Sequence, residues 1–245
     1  MDFESIRKKI TDEFLFFFHP IYNLRRNIIC YEVLVRTYDP KSSSYITPSN
    51  LLKQIAKNPK LSNFLLMHTI LYLESHVFIP ELVKEKVSIN LNFVSLLSID
   101  IVKLLEMYEL YSHRIVIEIT EQKTKGVKDM SGILSKLYDV KKMGFSVSID
   151  DVFIGHDDLR KICSMPIDCV KFDYETTDLL CSNYKGFCIA KDFIKMMHHA
   201  NIKVISEGID SERKFNIMKN FEADGFQGYY LCRPFPIENM KNKIN

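Results

Sequence analysis

The sequence lacks most features that would set it apart from an ordinary globular chain. It has no strong charge bias: 33 Lys and Arg face 31 Asp and Glu, a net charge of +2. Nothing global therefore calls for a nucleic-acid polymer or an anionic membrane as partner. It also has no long apolar run. Phe14-Leu15-Phe16-Phe17-Phe18 is far too short to cross a bilayer, and the charged start, Met1 to Thr11, lacks the apolar core of a signal peptide. The six cysteines, Cys30, Cys163, Cys169, Cys181, Cys188 and Cys232, form no CxxC pair and no zinc-like spacing with histidine. They read as free thiols of a reducing compartment, so a cytoplasmic protein without membrane insertion is expected. Glycine and proline number only eight each, and no linker or internal repeat is visible. Fibrous and disordered classes are excluded.

What is present is alternation. Apolar runs of strand length occur at Phe14–Phe18, Ile28–Val35, Val87–Leu91, Ile115–Ile119, Phe145–Ile149, Cys169–Phe172, Lys203–Ile205 and Ala223–Tyr230. Amphipathic helical stretches separate most of them, among them Phe93–Leu110, Val127–Met143, Gly186–His199 and Ser211–Asn220. Such alternation predicts an α/β fold with a buried parallel sheet, and eight strands predict a (β/α)8 (TIM) barrel. The first two strands are joined only by Asn23-Leu24-Arg25-Arg26-Asn27, whereas a parallel crossover needs a dozen or more residues. The barrel is thus expected to be modified, with an antiparallel first strand. One domain over 1–245 is expected, opened by a short helix at about 1–12 and closed by one near Ile237–Ile244.

The apolar strands end in polar groups. Glu32, Asn90, Glu118, Asp150-Asp151, Lys171, Glu207 and Gln227 stand in or at the ends of successive runs. A lone carboxylate in a buried strand is costly. Several at one end of a barrel would repel one another, and divalent cations are the natural compensation. Barrel active sites lie at that face, and two metals about 3.5–4 Å apart can hold a water and a phosphate oxygen together. Taken singly, each residue has an ordinary explanation: an ion pair for Glu32, a cap or turn for Asn90, Asp150-Asp151 and Gln227, a snorkelling lysine for Lys171. Their joint placement on consecutive strands makes those explanations improbable.

As an ordered set these motifs resemble the EAL-domain family of cyclic di-GMP phosphodiesterases, from about Phe17 to Pro236. Glu32-Val33-Leu34-Val35-Arg36 resembles EALLR, Ile89-Asn90-Leu91-Asn92 resembles VNLS, and Glu118-Ile119-Thr120-Glu121 matches EITE. Ser206-Glu207-Gly208-Ile209 resembles AEGV, and the segment from Gln227 to Pro236 resembles QGYLFSRPLP. The resemblance implies hydrolysis of cyclic di-GMP to linear pGpG (the EC 3.1.4.52 reaction) at a two-metal Mg²⁺ or Mn²⁺ site. It implies Glu32, Asn90, Glu118, Asp150, Asp151 and Glu207 as metal ligands, and Glu207, Lys171 and Gln227 as catalytic groups, with either Glu207 or Lys171 as general base. Arg36 would grip a substrate phosphate. His19, standing at the family's opening glutamine, would contact substrate. Glu121 would brace the loop after Asp151. A homodimer is expected. The chief departure is Val152-Phe153-Ile154-Gly155-His156, where the family has FGTGY: a glycine is lost, and Phe153 is expected to be strained in the turn. The alternative functions are a receptor that holds cyclic di-GMP uncut, or a protein-interaction regulator.

Overall fold

A computed structural model describes residues 1–92, 95–96, 101–120, 130–153 and 158–240. Ten strands are seen among them: β1 (Leu15–Tyr22), β2 (Ile28–Asp39), β3 (Ser44–Ile46), β4 (Lys86–Asn92), β5 (Ile115–Thr120), β6 (Ser146–Ile149), β7 (Cys169–Phe172), β8 (Lys203–Ser206), β9 (Gly225–Phe226) and β10 (Phe235–Pro236). The helices are α1 (Phe3–Glu13), α2 (Ser49–Ala56), α3 (Pro59–Leu73), α4 (Ile101–Glu106), α5 (Met130–Lys142), α6 (Asp158–Ser164), α7 (Tyr174–Leu180), α8 (Tyr184–His199) and α9 (Glu212–Asn220).

β2, β4, β5, β6, β7, β8 and β9 pair in parallel in that order. β1 closes the barrel, antiparallel to both β2 and β9. The five-residue connection explains that reversal. Asn23 Oδ1 accepts from the backbone N–H of Arg25 and Asn27, Arg26 takes φ +61°, and the chain turns back at once.

Strand alternation assigns the two faces. Tyr31, Val33, Val87, Ile89, Ile117, Ile119, Val147 and Val204 are buried against the surrounding helices in the main core. Residues of the opposite parity point inward. Cys30, Ser88, Ser148 and Cys169 form a small-residue layer, Glu32, Asn90, Asp150 and Lys171 follow two positions on, and Glu118 stands level with Asn90 on β5. Burial of each large apolar side chain contributes roughly 1.5–3 kcal/mol, which fixes the register and hence that inner ring.

α1 begins where Asp2 Oδ1 accepts from Ser5 N at 2.8 Å, and it buries Ile6 and Ile10 against Phe14, Ile55 and Leu61 in a satellite core. It occupies the place expected for an opening helix. The run Ala223–Tyr230 is strand only at Gly225–Phe226, because the chain then turns against residue 209: a Cβ at Gly228 would lie 2.2 Å from the Ile209 carbonyl oxygen. Where a closing helix was expected, a 3₁₀ turn covers Ile237–Asn239 with Met240 buried after it, and residues 241–244 lie outside the described residues. In the stretch Phe93–Leu110, α4 is followed by a 3₁₀ segment at Glu109–Arg114. β3 and β10 had no counterpart in the sequence reading. Among the described residues no helix is long and apolar enough to cross a membrane.

Candidate active site

Lys171 is the centre of the site. It sits on β7, 1% exposed, and its ammonium contacts the carboxylates of Glu118 on β5 and Glu207 after β8. Asp150, after β6, lies 3.6 Å away, and Glu32, on β2, 3.8 Å. Gln227 Nε2 donates to Glu32 Oε2 at 2.7 Å. One carboxylate oxygen each from Glu118, Asp150 and Glu207 lies within 4.8 Å of the other two.

Four carboxylates around one ammonium set the electrostatics. Burial opposes a charged lysine, yet Asp150, Glu118, Glu207 and Glu32 together hold the Lys171 pKa well above its ordinary value. Burial is also the main influence on the carboxyls. It pushes Glu118 up to about 8 and raises Glu207 strongly, Lys171 opposing both shifts. Asp150 is raised for the same reason, and Asp151 is pushed to about 6 by burial and by the neighbouring Asp150 and Asp173 charges. Glu32 alone ends below its ordinary value: burial raises it, but Lys171 and hydrogen bonds from Gln227 and Asn90 outweigh that.

The donor set fits a hard divalent cation. Glu118 Oε2 and Asp150 Oδ1 are buried without a hydrogen bond among the described residues. One ammonium cannot neutralise four carboxylates, and such oxygens are the ligands magnesium and manganese prefer.

A cavity of about 360 Å³ adjoins the cluster, within the roughly 300–1,000 Å³ range of small-ligand sites. Arg36, Asn90 and Asp151 line it beside the apolar Phe16, Leu52 and Leu66. His19 pairs in register with Glu32, and its Nε2 lies 3.1 Å from the Cys232 carbonyl oxygen. Burial lowers the His19 pKa. Glu121, Ile154, Gly155 and His156 lie outside the described residues. Val152 is fully buried core, whereas Phe153 is 43% exposed at φ +82°, its ring 4.8 Å from that of Phe193 and 5.9 Å from that of Phe172. Asp151 also has positive φ, at +54°.

Two supports escaped the sequence reading. The Cys232 carbonyl partners His19, and Asp173 caps α7 through Thr176 N and Glu175 N at 2.9 Å each. The second had a signal, an Asp directly before a helix; the first had none.

A sequence model of the EAL domain matches residues 4–234. The chain belongs to the EAL domain family. This EAL domain is 32% identical over 124 residues, half of the chain, to the cyclic di-GMP phosphodiesterase PdeA of Borreliella burgdorferi, of which it covers 18%. It is 23% identical over 141 residues, 58% of the chain, to the cyclic di-GMP phosphodiesterase PA2567 of Pseudomonas aeruginosa, covering 24% of that protein. The chain thus spans no more than about a quarter of these relatives. The solved EAL domain protein from Listeria monocytogenes superposes with a TM-score of 0.82 at 24% identity, over 99% of this chain and 97% of that one. The FimX EAL domain of Pseudomonas aeruginosa, solved bound to c-di-GMP, gives 0.75 at 20% identity, over 96% and 97%. These likenesses establish a TIM-like barrel with an antiparallel first strand.

Proposed function

We propose that this chain hydrolyses cyclic di-GMP to linear pGpG with Mg²⁺ or Mn²⁺. The observation that carries the reading is the ring of Glu32, Glu118, Asp150 and Glu207 around Lys171, in which Glu118 Oε2 and Asp150 Oδ1 are buried without a hydrogen bond among the described residues. Family membership and the names of the relatives supply the reaction class.

Glu32, Asn90, Glu118, Asp150, Asp151 and Glu207 would hold the metal pair. When bound, the ions would lower the pKa of a water and offset charge developing on the phosphate. Arg36, at the cavity wall, offers a planar fork suited to phosphate oxygens. Lys171, held as an ammonium, donates rather than accepts, which leaves the carboxylates, Glu207 first, as proton acceptors. Gln227 gives its Nε2 to Glu32 and, among the described residues, keeps a buried Oε1 without a hydrogen bond, an acceptor available to orient water. His19 borders the substrate side. We further assign the chain to the cytoplasm, as one domain acting as a homodimer.

A receptor reading is favoured by one feature, the strained Phe153 beside Asp151. The test is chromatography of cyclic di-GMP incubated with purified protein and Mn²⁺ or Mg²⁺, beside Glu32→Ala. Formation of pGpG by the wild type alone supports the hydrolase. No product with either ion, together with retained nucleotide binding, would replace it with the receptor.

A further inference from the structure

The strongest feature outside the acidic ring is a second buried lysine. Lys214 lies on α9, 5% exposed. Its ammonium donates to Asp210 Oδ2 at 2.8 Å, meets Asp178 Oδ1 of α7 at 3.0 Å, and sits 4.7 Å from the centre of the Tyr174 ring. Asp210 belongs to the loop that starts at Glu207, and Asp178 stands one turn beyond Tyr174 on α7. Two further contacts tie α7 to the same loop and strand, and a third ties its C-terminal end to α9. Gly208, at φ +65°, packs so closely on Tyr174 that a Cβ there would come within 2.7 Å of its Cα. Thr177 and Ser206 share a hydroxyl hydrogen bond at 3.0 Å, and Arg213 Nη2 donates to the Cys181 carbonyl at 2.8 Å. On its other side α7 reaches the Asp150-Asp151 loop, because Thr176 Oγ1 donates to the Val152 carbonyl at 3.4 Å.

We infer that Lys214 is a positioning residue for the metal ligands: by joining Asp210 to Asp178 it fixes the Glu207 loop to α7, and through α7 to the Asp151 turn. The inference rests on the metal reading above. The Lys214 ammonium is covered while its two carboxylates stay half exposed, so the contact acts by fixing geometry, with the lysine held at one point between loop and helix. The loop from Glu207 to Ser211 is also held by the Glu207–Lys171 ion pair, by buried Ile209 and by backbone bonds, among them Glu207 N to Phe172 O at 2.9 Å and Ile209 N to Gln227 O at 3.0 Å. Those contacts set the path of the loop; the Lys214 contact, with Arg213 on the Cys181 carbonyl, sets how far α9 stands from α7.

The test is calorimetric titration of Mn²⁺ into the metal-stripped 245-residue chain, with melting in chelator run in parallel. Lys214→Met should bind Mn²⁺ about tenfold more weakly, and Lys214→Arg should recover to within about threefold of wild type. Asp178→Asn, which keeps the Asp210 contact, should weaken binding less than Lys214→Met, and it decides the matter if Lys214→Met does not fold. Unchanged Mn²⁺ affinity in the variants, with only a lower melting temperature, would overturn the positioning role and leave the metal site intact. A wild type that binds no Mn²⁺ would overturn the metal reading, and this inference with it.

Discussion

Glu118 has no counterpart on the surface of the molecule: it is fully buried, with its carboxyl pushed up to about 8 against an ordinary 4.5. The sign of its linkage is fixed. Between pH 4.5 and about 8 the metal-free native chain holds a proton that the unfolded chain has lost. Stability without metal must therefore fall as pH rises through that window. Mn²⁺ affinity should rise over the same range, because the proton leaves when the cation binds. Melting in chelator and Mn²⁺ titration at several pH values check both slopes. Glu118→Gln should flatten the first and weaken Mn²⁺ binding at every pH. A second residue-scale case is Phe153, at φ +82°, where a side chain costs about 1–2 kcal/mol that glycine avoids. Both Phe153→Ala and Phe153→Gly lose the ring packing on Phe193. Only glycine relieves the backbone, so Phe153→Gly should melt above Phe153→Ala, by about 2–4 °C.

At the scale of elements, the strand alternation was written in the sequence. Glu118 and Lys171 stand among apolar neighbours whose burial leaves only one orientation for the strand, so the inner ring followed from parity. The hairpin was legible too, because five residues cannot cross a barrel. The long-range elements were not. β3 pairs with the extended end of β2, Tyr38 opposite Tyr45, and nothing local in Ser42-Ser43-Ser44 announces it. Lys214 reads as a surface helix residue until the fold brings Asp178 to it. The positive φ of Phe153, by contrast, was expected, because Phe153 stands where the family pattern has a glycine. Gly228 makes a sharp element-scale prediction. Its missing Cβ is filled by the backbone of Ile209, so Gly228→Ala should lower the melting temperature by about 6 °C or more and loosen the adjacent Gln227.

At the scale of the whole molecule, the two ends of the barrel differ in kind. The carboxyl end of the strands carries uncompensated acid. The other end carries paired charges that tie neighbouring strands. Asp168, just before β7, accepts from Val147 N at 2.8 Å and from Lys141, and Asp224, just before β9, accepts from Val204 N and His198 Nε2, each at 2.8 Å. The stabilising pairs and the acidic ring thus lie at opposite ends, and the layout predicts that stability and metal binding can be changed separately. Asp168→Ala should cost about 2 kcal/mol in denaturant unfolding while leaving Mn²⁺ affinity unchanged, the reverse of the pattern for Asp150→Asn.

The antiparallel seam has one more consequence. β1 takes Phe226 as its partner at one end, and Phe235 and Pro236 at the other. The residues of β1 therefore leave the ribosome well before the distant segments that cover their free edge. While synthesis runs, Leu15–Tyr22 is a sticky, half-paired ribbon, and its protection falls to whatever chaperone meets the nascent chain.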